Sequence, residues 1–364
     1  MGYAWHTVGG ETTHVYLPSI IMEMGCLLPY DGDAAFKCSL AEPISCIVSA
    51  FRTNYHHAFG SHVHEMGIRD GGTMLLLAGC GAMGLGCIDI ACHSPEKRPR
   101  RLVVTDIDDA RLARAAKMFG VEGMRDQGSG MRSVVARGSV NGVDLVFVNT
   151  RDVGDPVEYL KGFNRTDDAR DGNATSTGGG YDDIFLFAAV PALITQCSDL
   201  LAFGGCLNFF AGPTDQKLMA NFNFYNIHYM NHHIVANSGG DVKDMSDSVD
   251  WIGKGLLHPE VMITHVGGLD SAFPATLDLH KVPGGKRLVY THVKMPMTAI
   301  SDFAELGRAR SPSAPLYAEL AKLCAANNGL WCKAAEDYLL ANAPKIEIGE
   351  PKELVRERII RLGE

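Results

Sequence analysis

The stretch Thr73 to Asp106 constrains this chain more than any other. It opens with Thr-Met-Leu-Leu-Leu-Ala and runs into Gly79-Cys80-Gly81-Ala82-Met83-Gly84. It then stays apolar to Cys92 and resumes at Leu102-Val103-Val104-Thr105-Asp106. An apolar run without alternation is what a parallel strand buried on both faces requires. The glycine spacing predicts a tight turn into a helix. Gly79 permits the turn, Gly81 lets backbone approach a diphosphate, and Gly84 lets helix and strand pack closely. The N-terminus of that helix offers unpaired N–H groups and a positive dipole end to phosphate. Asp106 ends the next strand about 20 residues past Gly84, where a ribose-binding carboxylate belongs.

Three other readings of this stretch compete. Leu75 to Cys92 has the apolarity of a short membrane span, but Asp89 and four glycines interrupt it and no basic flank sets an orientation. A methyltransferase also joins a strand to a helix through such a loop and ends its second strand in an acid. A plain α/β turn needs no ligand. The GxGxxG spacing, with strand, helix, strand and acid in order, favours the dinucleotide.

The remaining chain supplies the rest of such a sheet. Asp108 to Phe119 has Leu112, Ala115 and Met118 at helical spacing, with Asp108 as N-cap. Val143 to Asn149, Asp183 to Ala189, Cys206 to Ala211 and His233 to Ala236 read as strands, and Asp155 to Gly162 and Pro191 to Leu201 as helices. Gly204-Gly205 is expected to end the second of these helices. Asn164 to Gly180 is polar and glycine-rich and reads as a surface loop. Strands alternating with helices over Thr73 to Gly240 predict a doubly wound parallel sheet, an α/β fold of the Rossmann type. Ligand belongs at the carboxyl ends of its strands. The candidate cofactor-binding residues are therefore Gly79, Gly81, Ala82, Met83, Gly84, Asp106, Phe187 and Ala188.

Before this unit, Thr12 to Leu17 reads as a strand and Ile44 to Phe51 as an apolar helix. His56, His57, His62 and His64 follow, with Glu65 beside the last. No HExxH is present, and a solvated loop is the simpler reading. After the unit, 241 to 257 is helical in spacing, and Val261 to His265 and Arg287 to Val293 read as strands. Pro315 to Ala326, Trp331 to Ala341 and Glu353 to Leu362 read as helices.

Composition excludes some functions. With 364 residues the chain holds two or three domains of about 150 residues. A net charge of −9 excludes a nucleic-acid partner, which needs clustered Lys and Arg. The ten cysteines are scattered and none forms CxxC, a pattern of reduced, buried thiols in a cytoplasmic protein. The N-terminus lacks the basic start and apolar core of a signal peptide.

Several stretches carry a family resemblance. They are Ser39-Leu-Ala-Glu-Pro43, Met83-Gly-Leu-Gly86, Val103-Val-Thr-Asp-Ile-Asp-Asp-Ala-Arg-Leu112, Asn208-Phe-Phe-Ala-Gly-Pro213 and Met262-Ile-Thr-His-Val-Gly-Gly268. Together with the glycine loop and Asp106 they resemble the medium-chain dehydrogenase/reductase superfamily, zinc alcohol dehydrogenase type. Within it the chain looks most like the L-sorbose-1-phosphate reductases and related polyol-phosphate dehydrogenases. The resemblance runs from about Gly9 to about Pro344.

It implies hydride transfer between NAD, or NADP, and a carbonyl carbon of a ketose phosphate or polyol phosphate, with zinc as Lewis acid. Asp106 favours NAD by repelling a 2′-phosphate, and Arg111 beside it softens that repulsion. Relatives are often homo-oligomers. Members of the superfamily begin with a GroES-like catalytic domain carrying a zinc-binding Cys and a Gly-His-Glu motif, and neither is present here. Of the family's metal site only Glu42 has a counterpart, so Glu42 is the metal candidate; its alternative is a helix N-terminal carboxylate. No catalytic residue is assigned; His265 and Lys286 are guesses, with structural roles the simpler reading. The expected organisation is 1–45 as a remnant of the catalytic domain, 46–240 as the dinucleotide-binding domain, 241–295 as the returning catalytic portion and 296–364 as a helical extension. The alternative is a non-catalytic nucleotide-binding protein.

Overall fold

The computed structural model describes residues 9–58, 60–121, 123, 133–164, 178–278 and 284–348. Strands among them are β1 Tyr55–His57, β2 His64–Met66, β3 Thr73–Leu77, β4 Arg101–Asp106, β5 Val134–Val140, β6 Val143–Asn149, β7 Tyr181–Leu186, β8 Leu201–Phe209, β9 His233–Val235, β10 Ile263–Gly268, β11 Lys286–Tyr290 and β12 Thr298–Ala299. Seven of them form one sheet in the order β5-β6-β4-β3-β7-β8-β9. Every neighbouring pair is parallel except β5, which runs antiparallel to β6 at the edge. The strand order reverses at β3, which makes the sheet doubly wound and puts the switch point beside the glycine loop.

The apolar runs explain the layers. Met74 and Leu76 of β3, with Leu102 and Val104 of β4, enter a core with helices Ala41–Thr53, Ala82–His93 and Asp109–Met118. Leu75, Leu77 and Val103 enter a second core with Leu160, Cys197 and Leu200 on the opposite face. Successive residues of a strand point to opposite faces, so a strand buried on both must be apolar throughout. A third core joins Phe36 and Leu40 to Ile263 and Val266 of β10 and to Leu320, Trp331 and Leu339 of the C-terminal helices Ala314–Ala326 and Lys333–Asn342. It supports a small sheet of order β11-β10-β12.

Local signals place several helix starts. Asp108 accepts from the backbone N–H of Ala110 and Arg111 at the head of Asp109–Met118. Asp155 caps Pro156–Lys161 by accepting from Glu158 N–H. Asp241 and Asp244 form a reciprocal capping box at Val242–Gly253. That helix packs on Ala41–Thr53, where Arg52 donates to Asp244 at 2.7 Å and to Asp247 and Glu96 at 2.5 Å.

Some expectations fail. Thr12 to Leu17 forms no strand; it has no neighbouring strand to pair with among the described residues. Gly204-Gly205 does not end a helix. Pro191–Leu200 stops earlier, and both glycines lie inside β8. Gly204 has φ +68°, and the pairing of β7 with β8 shifts register there, so the pair makes a bulge rather than a cap. The antiparallel β5 was not expected, although Asn141-Gly142, both at positive φ, is a hairpin-turn signal. The helix at Leu269–Leu277 was not expected either. The expected helix at Glu353 to Leu362 and most of the loop Asn164 to Gly180 lie outside the described residues.

The histidine segment is a hairpin, β1 against β2, not a solvated loop. His56 is buried, with Nε2 3.1 Å from Asp183 Oδ1 and Nδ1 3.0 Å from the Gly204 carbonyl oxygen. The neighbouring face stacks Tyr55, His57 and His64 around His233 of β9, with ring centroids 4.3 Å and 5.0 Å from His233 to Tyr55 and His57. His233 is buried and its Nε2 has no hydrogen-bond partner. Burial, then the charges of His57, His56, His64 and His232, lower its pKa to about 4.

The unfolded value is about 6.5, so His233 is neutral in the fold where an unfolded chain takes up a proton. Its contribution to stability is complete above about pH 6.5 and is lost as the pH falls towards 4. Urea unfolding at both pH values is expected to show His233→Phe losing roughly 3 kcal/mol less than the parent protein over that interval, at ~1.4 kcal/mol per pKa unit. Equal losses would contradict this account.

Candidate functional site

The carboxyl ends of β3, β4 and β7 meet at the switch point. β3 ends at Leu77, and Ala78 turns the chain at φ +57°, unusual for a side chain with a Cβ. Gly79 N–H then donates to the Thr105 carbonyl at 2.8 Å, tying the turn to the end of β4. A Cβ on Gly79 would lie 2.8 Å from Leu76 Cβ and 2.9 Å from Val104 Cγ1. Gly81 is the N-cap of Ala82–His93, in extended backbone, and offers no side chain to cap the helix. A Cβ there would meet nothing within 4 Å. The space in front of the helix N-terminus is therefore open, and its unpaired N–H groups face a place that an anion can reach. Gly84 is the opposite case. A Cβ on it would sit 2.1 Å from the Gly79 carbonyl oxygen, so the helix crosses the loop too closely for any side chain. Gly86 makes a separate close approach, to helix Ala41–Thr53, since a Cβ there would lie 2.8 Å from Ile47 Cδ1.

Asp106 is the last residue of β4 and is 7% exposed. Its Oδ1 accepts from the N–H of Ile107 at 2.8 Å and of Asp108 at 3.2 Å. Those two bonds orient the carboxylate and leave Oδ2 without a protein donor among the described residues. Phe187 and Ala188 follow β7 directly. Phe187 N–H donates to the Leu77 carbonyl at 3.0 Å, and its ring packs 5.1 Å from that of Phe210. A cavity of about 330 Å³ opens at the same end of the sheet but on the face opposite Ala82–His93, lined by Leu77, Ile107, Thr150, Pro156 and Leu193. The expected cofactor residues do not line it; they lie on the neighbouring carboxyl ends of β3, β4 and β7.

Charge around the loop is mixed. The Cys80 thiol is held well above its usual range by burial, then by Asp106, while Arg111 and Arg114 pull it down. Arg114 is a part-buried guanidinium whose pKa burial lowers; Nη2 reaches the Ile263 carbonyl at 3.5 Å, and no carboxylate pairs with it among the described residues. Arg111 lies 3.9 Å from Asp108. Arg111 is legible from its place one turn past Asp108, whereas Arg114 reaches Ile263 of β10, 149 positions away.

Glu42 stands elsewhere, in the first turn of Ala41–Thr53, exposed. Cys46, one turn on, donates its thiol to Glu42 Oε1 at 3.4 Å, and burial, then this carboxylate, raises the thiol pKa. A zinc site needs three or four converging N, O or S donors. Glu42 belongs to no such group among the described residues. The residues around it do not fit zinc, and no step is derived through the metal. His265 is buried, bonded at Nδ1 to Thr264 Oγ1 at 2.8 Å, and burial, then Arg287, lowers its pKa. It is a structural residue of β10. Lys286 stands at the start of β11, and its charge pulls the Cys46 thiol pKa down slightly against burial and Glu42.

Comparison with known proteins gives the family. The chain is 44% identical over 339 residues to mannitol-1-phosphate 5-dehydrogenase of Aliivibrio fischeri, covering 93% of this chain and 73% of that protein. It is 39% identical over 345 residues to L-sorbose 1-phosphate reductase of Klebsiella pneumoniae, covering 95% of this chain and 73% of that one. Among solved structures, L-idonate 5-dehydrogenase of Escherichia coli superposes with a TM-score of 0.49 at 14% identity, covering 72% of this chain and 59% of that chain. The chain therefore spans about three quarters of its curated relatives and under two thirds of that solved neighbour. No family model matches.

Proposed function

The chain belongs to the medium-chain dehydrogenase/reductase superfamily, in its polyol-phosphate group, and on that premise we propose that it is an NAD(P)-dependent oxidoreductase of a sugar phosphate or polyol phosphate. One observation carries the cofactor reading. An open, side-chain-free helix N-terminus at Gly81 follows a turn whose Gly79 N–H bonds the Thr105 carbonyl, one residue before a carboxylate, Asp106, that has one oxygen held by backbone and one free. The N-terminal N–H groups bind the diphosphate, with Ala82 and Met83 supplying the first helical ones. Asp106 Oδ2 accepts from a ribose hydroxyl, which favours NAD. Phe187 and Ala188 form the wall where the nicotinamide end lies, next to Leu77. Bound there, the nicotinamide supplies hydride to a ketone carbon, or accepts it from the alcohol carbon, while a proton goes to or leaves the oxygen.

The substrate reading rests on the two curated relatives, whose names specify a hexitol phosphate and a ketose phosphate. Lys286, whose positive charge reaches the Cys46 thiol that bonds Glu42, is the cation we assign to the substrate phosphate. Ten free cysteines fit a reducing compartment, and no helix among the described residues is long and apolar enough to cross a membrane. The second reading, nucleotide binding without turnover, draws on the donor set around Glu42, which is too small for zinc.

The test is NADH and NADPH fluorescence titration, followed by NADH oxidation with L-sorbose 1-phosphate and NAD reduction with mannitol 1-phosphate. Tight NADH binding, weakened about tenfold or more in Asp106→Ala by loss of a charged hydrogen bond of ~1.5–3 kcal/mol, is expected. Turnover with either substrate supports the oxidoreductase, binding alone supports the second reading, and no nicotinamide binding overturns both.

A further inference from the structure

The far end of the helix that opens on the glycine loop holds a second polar site. Ala82–His93 has 12 residues, so at ~1.5 Å per residue its last turn lies roughly 16 Å from the loop. Asp89 is fully buried there. Its Oδ1 lies 2.9 Å from His93 Nδ1, one turn on, and 3.1 Å from His258 Nδ1. His258 comes from the short 3-10 helix start before β10, and its backbone N–H donates to Asp89 Oδ2 at 2.7 Å. The two imidazoles stand nearly at right angles, 67° between planes, with centroids 4.7 Å apart. All three donors lie within 4.8 Å of one another, a separation found in no other group of His, Cys, Asp or Glu among the described residues.

A second observation points to a ligand. Glu260 lines the same cavity, of about 340 Å³, together with Asp89, His93 and His258. It is only 9% exposed, and its Oε2 has no hydrogen-bond partner. A carboxyl oxygen buried without a hydrogen-bond donor is costly unless a proton or a cation compensates it. A zinc-type ion takes imidazole nitrogen and carboxylate oxygen at ~2.0–2.2 Å, which sets neighbouring donors about 3 Å apart. Asp89 Oδ1 already stands at that spacing from both histidines, and the two ring nitrogens lie within 4.8 Å of each other. Two neutral imidazoles, Asp89 and Glu260 also bring charge −2, the complement of a divalent cation.

We propose that Asp89, His93 and His258, with Glu260, hold a divalent zinc-type ion. Bound there, the ion would take the place of a proton on each Nδ1, the ring keeping its other proton on Nε2 and any excess proton passing to solvent; His93 Nδ1, 3.0 Å from the Asp89 carbonyl oxygen as well, would give up that contact. The ion staples the end of the helix to the segment that leads into β10. The site is separate from the cofactor crevice and does not depend on the proposed reaction.

The experiment uses the full chain, stripped with EDTA and dialysed. It is titrated with ZnCl2 by calorimetry, with bound metal counted by mass spectrometry. Cobalt is then loaded for absorption spectra. The parent protein and Glu42→Gln are expected to bind zinc in this site alike. His258→Gln and His93→Gln are each expected to weaken binding at least about tenfold. Loaded cobalt is expected to give visible d–d bands without a thiolate charge-transfer band. Far-UV circular dichroism selects folded variants; His258 is the more exposed ring, so its variant carries the result if His93→Gln unfolds. Unchanged affinity in the folded variants, a thiolate band, or no binding at micromolar zinc overturns the proposal.

Discussion

Gly84→Ala is expected to destabilise the protein by about 3 kcal/mol or more and to abolish nicotinamide binding, because the new Cβ has nowhere to go. It would lie 2.1 Å from the Gly79 carbonyl oxygen, 2.5 Å from its carbon and 2.8 Å from its Cα. All three atoms are backbone, so no rotamer change relieves the clash. The helix must move off the strand, and the loop that would hold the diphosphate moves with it. Gly81→Ala is the informative contrast. Its Cβ meets nothing within 4 Å of protein, so the fold is expected to tolerate it. The same Cβ would project where a diphosphate approaches, so NADH affinity is expected to fall without loss of stability. Urea unfolding and NADH titration on both variants measure this. A Gly84→Ala protein as stable as the parent would remove the close-crossing argument. Unaltered NADH binding in Gly81→Ala would remove the diphosphate from this loop.

Asp183→Ala is expected to cost about 3–5 kcal/mol, since it strips the acceptor from two buried donors and a part-buried one at once. Asp183 is 1% exposed, near the start of β7. Its Oδ1 accepts from Asn54 Nδ2 at 2.7 Å and is 3.1 Å from His56 Nε2, while Oδ2 accepts from Arg69 N–H at 2.8 Å. One side chain therefore ties the end of helix Ala41–Thr53, the β1–β2 hairpin and the entry to β3 to the central sheet. Asn208 extends the network by donating to Asn54 Oδ1 at 3.0 Å. Asp183→Asn keeps the shape but turns one acceptor into a donor facing another donor. It is expected to lose about half as much, roughly 2 kcal/mol. Chemical denaturation read at the hairpin and at the sheet gives both numbers. If Asp183→Asn matches the parent, one of the three donors is not bonded to this carboxylate.

The candidate site was legible to the extent that its chemistry is local. Gly79, Gly81 and Gly84 each answer a backbone requirement set within six residues, and Asp106 answers one set by the next strand. The sequence could also have disclosed β5, through Asn141-Gly142. His56 was misjudged because its acceptor, Asp183, is 127 positions away, and pairing at that distance leaves no local trace. The same holds for Arg114, whose role depends on where β10 lies.

By itself the sequence determined which strands are buried on both faces, where Asp108, Asp155 and Asp241 start helices, and that a glycine turn joins β3 to its helix. These follow from side-chain period, capping and backbone freedom, each acting over a few residues. Only the tertiary structure decided that Gly204-Gly205 sits in a strand and not at a helix end, because a bulge is defined by the partner strand it faces. Only it brought His258 to Asp89 across 169 positions. Converging side chains depend on how helices and strands pack, and packing is a property of the whole chain.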